Sequence, residues 1–509
     1  MSGAAKSKTE PREFELKLEF DPADLAAIEA HPLLAGIRLN RQALISVYYD
    51  TDTNALHKAR LALRVRHTGS GYVQTIKGEG PAEMFDRPEW EKEIAGPQPD
   101  LSALAGTPLE SRLKGGAGER LRPLFQTRIE RGIYRLDSNG SEIEIAVDRG
   151  AIEAAERWSP VHEVELELKK GDPAEIFSLA RRLAASVPLR LAVKTKAERG
   201  YELAGGATPE AEKATRVSLD GGLTCRQAFR AIAQNCLRQI IVNERGMCAG
   251  DANSLHQMRI GLRRLRAAIT AFDKVVADSG KKKTKSELKW ITNELGPARD
   301  LDVFEIDILK PMSAMHGGDT RFAEARRAFD EARAKAYGAA VGSVRSDRFR
   351  TALLDVAEWI EVGPWTQDKG LRKRREQTVG EHAAKLLSRR RKRIREDGAS
   401  LRALDAKKRH KLRISAKNLR YAVEFFAGAF PGEENAGRRD AALTALKELQ
   451  DQLGALNDLA QREALVAEGH DLADHAQGLL APKEANVNQL LARAQKAHAD
   501  FAKVKSFWK

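Results

Sequence analysis

Along residues 12–197, apolar and polar positions alternate with a period of two in one short segment after another. In REFELKLEF (12–20), Phe14, Leu16, Leu18 and Phe20 fall on one side of an extended chain, and Glu13, Glu15, Lys17 and Glu19 on the other. LRVR sets Arg64 and Arg66 opposite Leu63 and Val65, and VQTIKG ends on Lys77. EWEKEI places Glu89, Glu91 and Glu93 on one side. EIEIAVD carries Glu142, Glu144 and Asp148 opposite Ile143, Ile145 and Val147. HEVELELKKG carries Glu163, Glu165, Glu167 and Lys169 opposite Val164, Leu166 and Leu168, and VKTK supplies Lys194 and Lys196. A sheet with one wet face accounts for simple alternation. It does not account for carboxylates clustered with carboxylates and cations with cations, because like charges side by side are unfavourable unless something of opposite sign binds them. An antiparallel, tunnel-like β-barrel with charged faces inward and apolar faces outward beneath helices meets both demands. DPADLAAIEAHPLL, with Asp21 as N-cap, and DPAEIFSLARRLAAS are the helical candidates. The fold expected here is α+β.

From about residue 219 the period changes to that of a helix. In SLHQMRIGLRRLRAAITAF (254–272), Leu255, Met258, Leu262, Leu265, Ile269 and Phe272 form a core stripe. One residue displaced lie His256, Arg259, Arg263 and Arg266, at offsets 0, 3, 7 and 10. At about 100° per residue they share an arc of roughly 80°. HKLRISAKNLRYAVEFF repeats those offsets with His410, Arg413, Lys417 and Arg420. A Leu-Gly-x-x-x-Asp element follows each copy, LGPARD from Leu295 and LGALND from Leu453. Shared basic positions and a shared downstream element mark an internal duplication in an all-α, bundle-like region.

Charge sharpens this division. The 509-residue chain has a net charge of +14, yet residues 1–204 hold 30 Lys/Arg against 32 Asp/Glu, so the excess lies in the second half. The stretch AGGATPEAEK lies at the change. The boundaries expected are 1–204, a linker at 205–218, and 219–509 with repeats at about 219–375 and 376–509. A basic surface of this extent calls for an anionic partner. Cys225, Cys236 and Cys248 make neither a metal-ligand pair nor an even disulfide set, which suits a reduced cytoplasm. No apolar run reaches the roughly 18 residues of a membrane span, and no secretion signal is visible.

The ordered set Glu-x-Glu-x-Lys, YYDT (48–51), LRVR, TIKG, TRIER, EIEIAVD, HEVELELKKG and KTKAERGYEL resembles the CYTH family of triphosphate tunnel metalloenzymes, over nearly all of residues 10–204. The resemblance implies hydrolysis of inorganic triphosphate with Mg2+ or Mn2+. By the same resemblance Glu13, Glu15, Glu163 and Glu165 would hold the metal. Lys17, Arg64, Arg66, Lys77, Arg128 and Lys196 would grip phosphates, and Asp148 would position a cation or water. Glu89 and Glu91 would face the tunnel in undefined roles. For Glu19, Glu93 and Glu167, ordinary salt bridges explain the residues as well, and strand parity leaves Arg131 and Lys194 open. This chemistry suits the residue types: Arg offers paired donors to phosphate oxygens, Lys a compact charge, and a carboxylate meets phosphate only through a divalent ion. Thiamine triphosphatases and a class of adenylate cyclases belong to the same family, but Trp90 and Tyr72 are the nearest aromatic groups for a base.

The duplicated half resembles the CHAD domain, whose basic helices bind inorganic polyphosphate. That implies His256, Arg259, Arg263, Arg266, His410, Arg413, Lys417 and Arg420 as binding residues, and an association with polyphosphate granules. Ion pairing with Asp300, Asp302 or Asp458 is the plain alternative for the arginines, and helix packing for the histidines. KKKTK (281–285) and RRRKRIR (389–395) suit solvated faces. Aromatic residues are 6% of the chain, neither stripe is interleaved with stacking residues, and no reading motif is visible, all of which speak against nucleic acid. A scaffold protein with an idle tunnel is the rival to an enzyme. Oligomeric state is not legible.

Overall fold

The computed structural model describes residues 12–78, 84–113, 120–206, 210–217, 219–316, 320–467 and 484–508. Its strands are β1 (Arg12–Glu19), β2 (Asn40–Asp50), β3 (Leu61–His67), β4 (Tyr72–Gly78), β5 (Asp86–Ile94), β6 (Arg122–Ser138), β7 (Ser141–Ala154), β8 (Arg157–Lys170) and β9 (Arg190–Ala192). They pair antiparallel in the order β5-β4-β3-β2-β6-β7-β8-β1-β9. β1 also pairs with β5, with Glu13 opposite Arg87, so the first eight strands close into a barrel. Closure leaves no exposed edges among these strands and gives every alternating segment an inside and an outside.

The alternation sorts as the pattern requires. β3 turns Arg64 and Arg66 inward, while Leu61, Leu63 and Val65 join Tyr49, Leu56, Leu104 and Leu109 in an outer core. The helix Pro173–Ala184 covers another part of the outer surface through Ile176, Phe177 and Leu183, and Asp172 caps it by accepting from Ala174 N. Asp21 takes the N-cap position of the 3-10 turn Pro22–Asp24, which a five-residue helix follows, but its carboxylate makes no capping bond and instead meets Arg190.

A second apolar cluster floors the barrel interior at one end. Leu44, Tyr48, Ala62, Phe125, Ile129 and Ile152 pack there against Ala197 and Tyr201 of the helix Lys196–Gly205. Tyr48 stacks on Phe125 with ring centroids 4.6 Å apart. A Cβ on Gly200 would stand 2.0 Å from the Phe125 ring, so only glycine lets the helix approach this closely. Asp50 of the YYDT motif ties the floor to the wall: it accepts from Thr51 N, Leu56 N, His57 N and Tyr201 Oη. Four donors are thereby satisfied by one buried carboxylate. Asp50→Ala is expected to lower stability by about 3 kcal/mol, read as a shift in the denaturation midpoint of the full chain.

Beyond the barrel the described structure is helical, including Cys225–Val242, Ala252–Ala271, Gly280–Glu294, Gly296–Phe304, Val379–Asp397, Ala406–Phe425 and Glu433–Ala467. Leu255, Met258, Leu262, Leu265, Ile269 and Phe272 are all fully buried, the stripe that the 3.6-residue period defines. The KKKTK and RRRKRIR runs lie within helices, and Arg390 and Arg391 of the latter donate to main-chain carbonyls. No described helix is long and apolar enough to cross a membrane. The chain packs as two compact units. One comprises Met1–Thr215, Gln234–Arg263 and Asp278–Pro364; the other comprises Arg216–Ala233, Arg264–Ala277 and Trp365–Lys509.

Candidate functional site

The barrel encloses a cavity of about 220 Å³. β1 contributes Glu13, Glu15 and Lys17; β3 and β4 contribute Arg64, Arg66, Thr75 and Lys77; β5 contributes Arg87, Glu89 and Glu91. Arg131 enters from β6, Glu144 from β7, and Glu165, Glu167 and Lys169 from β8. Lys196 comes from a helix rather than a strand, because β9 ends at Ala192 and the chain turns at Thr195. Thr195 and Glu198 make a capping box there, each accepting the other's backbone N–H at 2.9 Å.

Opposite charges inside are interlocked. Lys17 bridges Glu15 and Glu165, and Lys77 bridges Glu13 (2.8 Å) and Glu89 (3.0 Å). Lys196 reaches Asp148 (2.9 Å), Glu163 (2.8 Å) and Glu165 (2.8 Å). Burial works against the charge on Glu165, yet Lys17, Lys196 and Arg131 hold its pKa well below the usual range. Elsewhere burial and neighbouring carboxylates outweigh the cations. Burial, then Glu165, raises Glu15; burial, then Glu13, raises Glu167, which stands directly across from Glu15. Burial, then a hydrogen bond with Glu13, pushes Glu89 up to about 8.

Two guanidinium groups are under-satisfied. Arg64 Nη2 meets Glu91 (3.5 Å) and Glu89 (3.7 Å) at long range, while its Nε is buried with no hydrogen-bond partner among the described residues. Arg66 donates to Ser46 Oγ (3.2 Å) and makes no ion pair among the described residues. Burial first, then Arg64 and Arg131, depresses its pKa to about 10.

Of the residues expected from sequence, the cavity thus gathers Glu13, Glu15, Lys17, Arg64, Arg66, Lys77, Glu165 and Lys196. Glu163 and Asp148 lie buried behind it. Glu163 is held by Lys196 and by Arg199 at 2.7 Å, and Asp148 accepts two 2.7 Å bonds from Arg131. Arg128 is a correction. It is exposed on the outer face of β6, where it bonds Glu153, and Arg131 faces inward in its place. The reason is that the inward series of β6 runs Phe125, Thr127, Ile129, Arg131, so it changes from apolar floor to charged wall within one strand. Trp90 and Tyr72 pack against the outer core, and the aromatic residue that lines the cavity is Tyr48. Lys194 bonds Glu202 and Glu212 away from the cavity, and Glu19 meets Arg245. Arg87, Tyr48 and Arg199 were not singled out from the sequence. For Arg87, the inward alternation of Glu89 and Glu91, continued back by two residues, was the available signal.

In the helical region the two stripes share a local device. A Cβ on Gly296 would lie 3.6 Å from an Arg259 guanidinium nitrogen, and one on Gly454 would lie 3.5 Å from Arg413. The glycine of each Leu-Gly-x-x-x-Asp element thus lies beside the equivalent arginine of its repeat. Arg259 donates to Thr292 O (2.8 Å), and Arg263 Nε is buried without a partner. Arg420 is engaged with Glu424 (2.7 Å) and Gln450. Asp302 bonds Arg333 and Tyr337 rather than the stripe, and the side chain of Asp458 lies outside those described. His410 meets Asn457 Oδ1 at 2.9 Å. Burial, then Arg299, Arg263 and Arg259, pushes His256 down to about 4, so it is neutral at pH 7.

The CYTH domain model matches residues 11–201, and the CHAD domain model matches residues 231–467. A protein of Haemophilus influenzae named inorganic triphosphatase is 30% identical over 203 residues, which are 38% of this chain and 55% of that protein. The chain therefore spans about half the length of that relative. Among solved structures, the CHAD domain from Ricinus communis is 26% identical, with a TM-score of 0.47 over 58% of this chain and 98% of that one. The Hippeastrum protein HpAC1, described as having a dominant triphosphatase activity, is 18% identical, with a TM-score of 0.30 over 37% of this chain and 95% of that one. The closed barrel of charged interior strands is a CYTH domain, and the duplicated helical region that follows it is a CHAD domain.

Proposed function

We propose that residues 1–204 hydrolyse inorganic triphosphate to diphosphate and phosphate with Mg2+ or Mn2+, and that residues 219–509 bind inorganic polyphosphate. The observation that carries the first part is the pair Arg64 and Arg66: Arg64 Nε is buried without an acceptor although its Nη2 meets Glu89 and Glu91, and Arg66, half-buried, makes no ion pair among the described residues. A phosphate chain supplies the missing acceptors. The 30% identity to a protein named inorganic triphosphatase supports the same substrate.

Water attacks the terminal phosphorus, the bond to the bridging oxygen breaks, and diphosphate leaves with the electron pair. Arg64, Arg66 and Arg131 face the charge that builds on the phosphoryl oxygens. Lys17, Lys77 and Lys196 are held in place beforehand by their carboxylate partners, so little reorganisation accompanies the reaction. The donor set suits a hard divalent ion: Glu13, Glu15 and Glu167 offer oxygen ligands, and burial, then neighbouring carboxylates, raises the pKa of the last two, a cost that a bound cation would offset. Glu165 borders the same place, whereas Glu163 is committed to Lys196 and Arg199. Among the described residues no three such groups already converge, and the Lys17 ammonium lies between Glu15 and Glu165. When bound, the metal would polarise a phosphoryl oxygen.

A single aromatic group, Tyr48, among the described lining residues favours an inorganic substrate over a nucleotide or thiamine triphosphate. Phosphate release from all three with Mg2+ or Mn2+ tests this. Faster release from an organic triphosphate replaces the substrate, and no metal-dependent release from any of them in folded protein leaves the scaffold reading.

For the helical half, the unmatched Arg263 Nε and the arginines beside Gly296 and Gly454 support a polyanion ligand. It would place the protein in the cytoplasm, at polyphosphate granules where these form. Arg259→Glu combined with Arg413→Glu is expected to lower polyphosphate affinity at least about tenfold and to flatten its decline with salt, as fewer counterions are released. Retention on immobilised polyphosphate across a salt series measures both; unchanged retention removes the assignment.

A further inference from the structure

We infer that Arg238, on the helix Cys225–Val242, is a positioning residue for Lys196, so that the helical region sets the geometry of one phosphate-gripping group in the tunnel. The inference rests on the triphosphate reading above. Lys196 is the first residue of the helix Lys196–Gly205, and the capping box of Thr195 and Glu198 fixes where that helix begins. Arg238 grips both sides of this turn. Its Nη2 donates to Glu198 Oε1 at 2.8 Å, and its Nη1 donates to Val193 O at 3.0 Å. Glu198 Oε2 meanwhile accepts from Thr195 N, so one carboxylate serves the cap with one oxygen and Arg238 with the other.

The Arg238 side chain is only 15% exposed, which protects these bonds from solvent and from salt. The charge of Lys196 is not at issue, since Asp148, Glu163 and Glu165 hold the ammonium. Arg238 instead fixes the main chain between β9 and the helix, and with it the base from which the lysine reaches into the barrel. A second cation offers an internal comparison. Arg181, on the helix Pro173–Ala184, bonds Glu358 and Asp355 of the helix Asp347–Val362, and among the described residues these ion pairs lie apart from the turn at Thr195.

The test uses the full chain with R238M, R238K and R181M. R238M is expected to lower kcat for inorganic triphosphate roughly 10- to 100-fold, the range typical when a supporting group is removed. R238K should recover part of the loss. Amide hydrogen exchange at residues 195–199 should accelerate at least about tenfold in R238M and stay unchanged in R181M, although both variants lower the melting temperature by similar amounts. E198Q keeps the capping box while weakening the Arg238 bond, and should fall between wild type and R238M. If R238M and R181M match in both kcat and exchange, Arg238 acts only as a structural ion pair and the inference is overturned. If the wild type shows no triphosphate turnover, the triphosphate reading fails separately. In that case exchange at 195–199 still decides whether Arg238 holds this turn: acceleration confined to R238M supports it, and no difference overturns it.

Discussion

Replacing Arg66 by methionine is expected to stabilise the ligand-free protein while lowering triphosphate turnover by about a hundred- to a thousandfold. The two effects have one cause. Burial and the neighbouring Arg64 and Arg131 depress the pKa of Arg66 from its ordinary value to about 10. The folded state therefore holds this charge less willingly than the unfolded chain does. The penalty is fully present below about pH 10 and disappears as pH rises from there to the ordinary guanidinium range. At neutral pH it corresponds to roughly 3 kcal/mol. Methionine keeps much of the side-chain volume and removes the penalty. It also removes a donor that a phosphate chain would use, so binding and the transition state both suffer. Denaturation midpoints with and without triphosphate would separate the two: the variant should exceed wild type without ligand and gain little from adding it. A variant less stable than wild type in both conditions would mean that Arg66 is already compensated.

Changing Glu13 and Glu15 together to glutamine should abolish metal-dependent turnover, a loss of about a thousandfold or more, and with it the stabilisation by metal. For wild type, a cation at a hundred times its dissociation constant should add about 2.7 kcal/mol. The variant should show no such gain while folding normally, because both replacements are isosteric and Glu15 is already burdened by burial and Glu165. Acidity adds a further check. Glu89, raised from 4.5 to about 8 and hydrogen-bonded to Glu13, keeps its proton in the folded state where the unfolded chain has lost it. Its contribution to stability is therefore present below about pH 4.5 and declines as pH rises to about 8. Metal affinity should climb over the upper part of that interval, as protons stop competing for the carboxylates. Calorimetric titration with Mn2+ between pH 6 and 8.5 measures this; a flat profile would exclude these carboxylates as ligands.

Much of this architecture is legible because the barrel imposes a period of two and the helices one of 3.6. REFELKLEF carries both faces of β1 in plain view, and the repeated offsets of His256 and His410 disclose the duplication. Legibility ends where a face changes character along one strand. In TRIER, Arg128 and Arg131 have opposite parity, and only the apolar floor at Phe125 and Ile129 shows which series points inward. Lys196 was legible as a cation but not as a helix residue, since the turn at Thr195 depends on the capping box and on Arg238, more than forty residues downstream. Glu163 and Glu165 are indistinguishable by alternation. They differ because Arg199, one turn into the next helix, reaches the first at 2.7 Å.

The floor built by Phe125, Tyr201 and Gly200 has a directional consequence. Where a Cβ on Gly200 would stand 2.0 Å from the Phe125 ring, helix and strand leave no gap for a linear guest to pass. A phosphate chain bound above that contact would meet the floor with one of its ends.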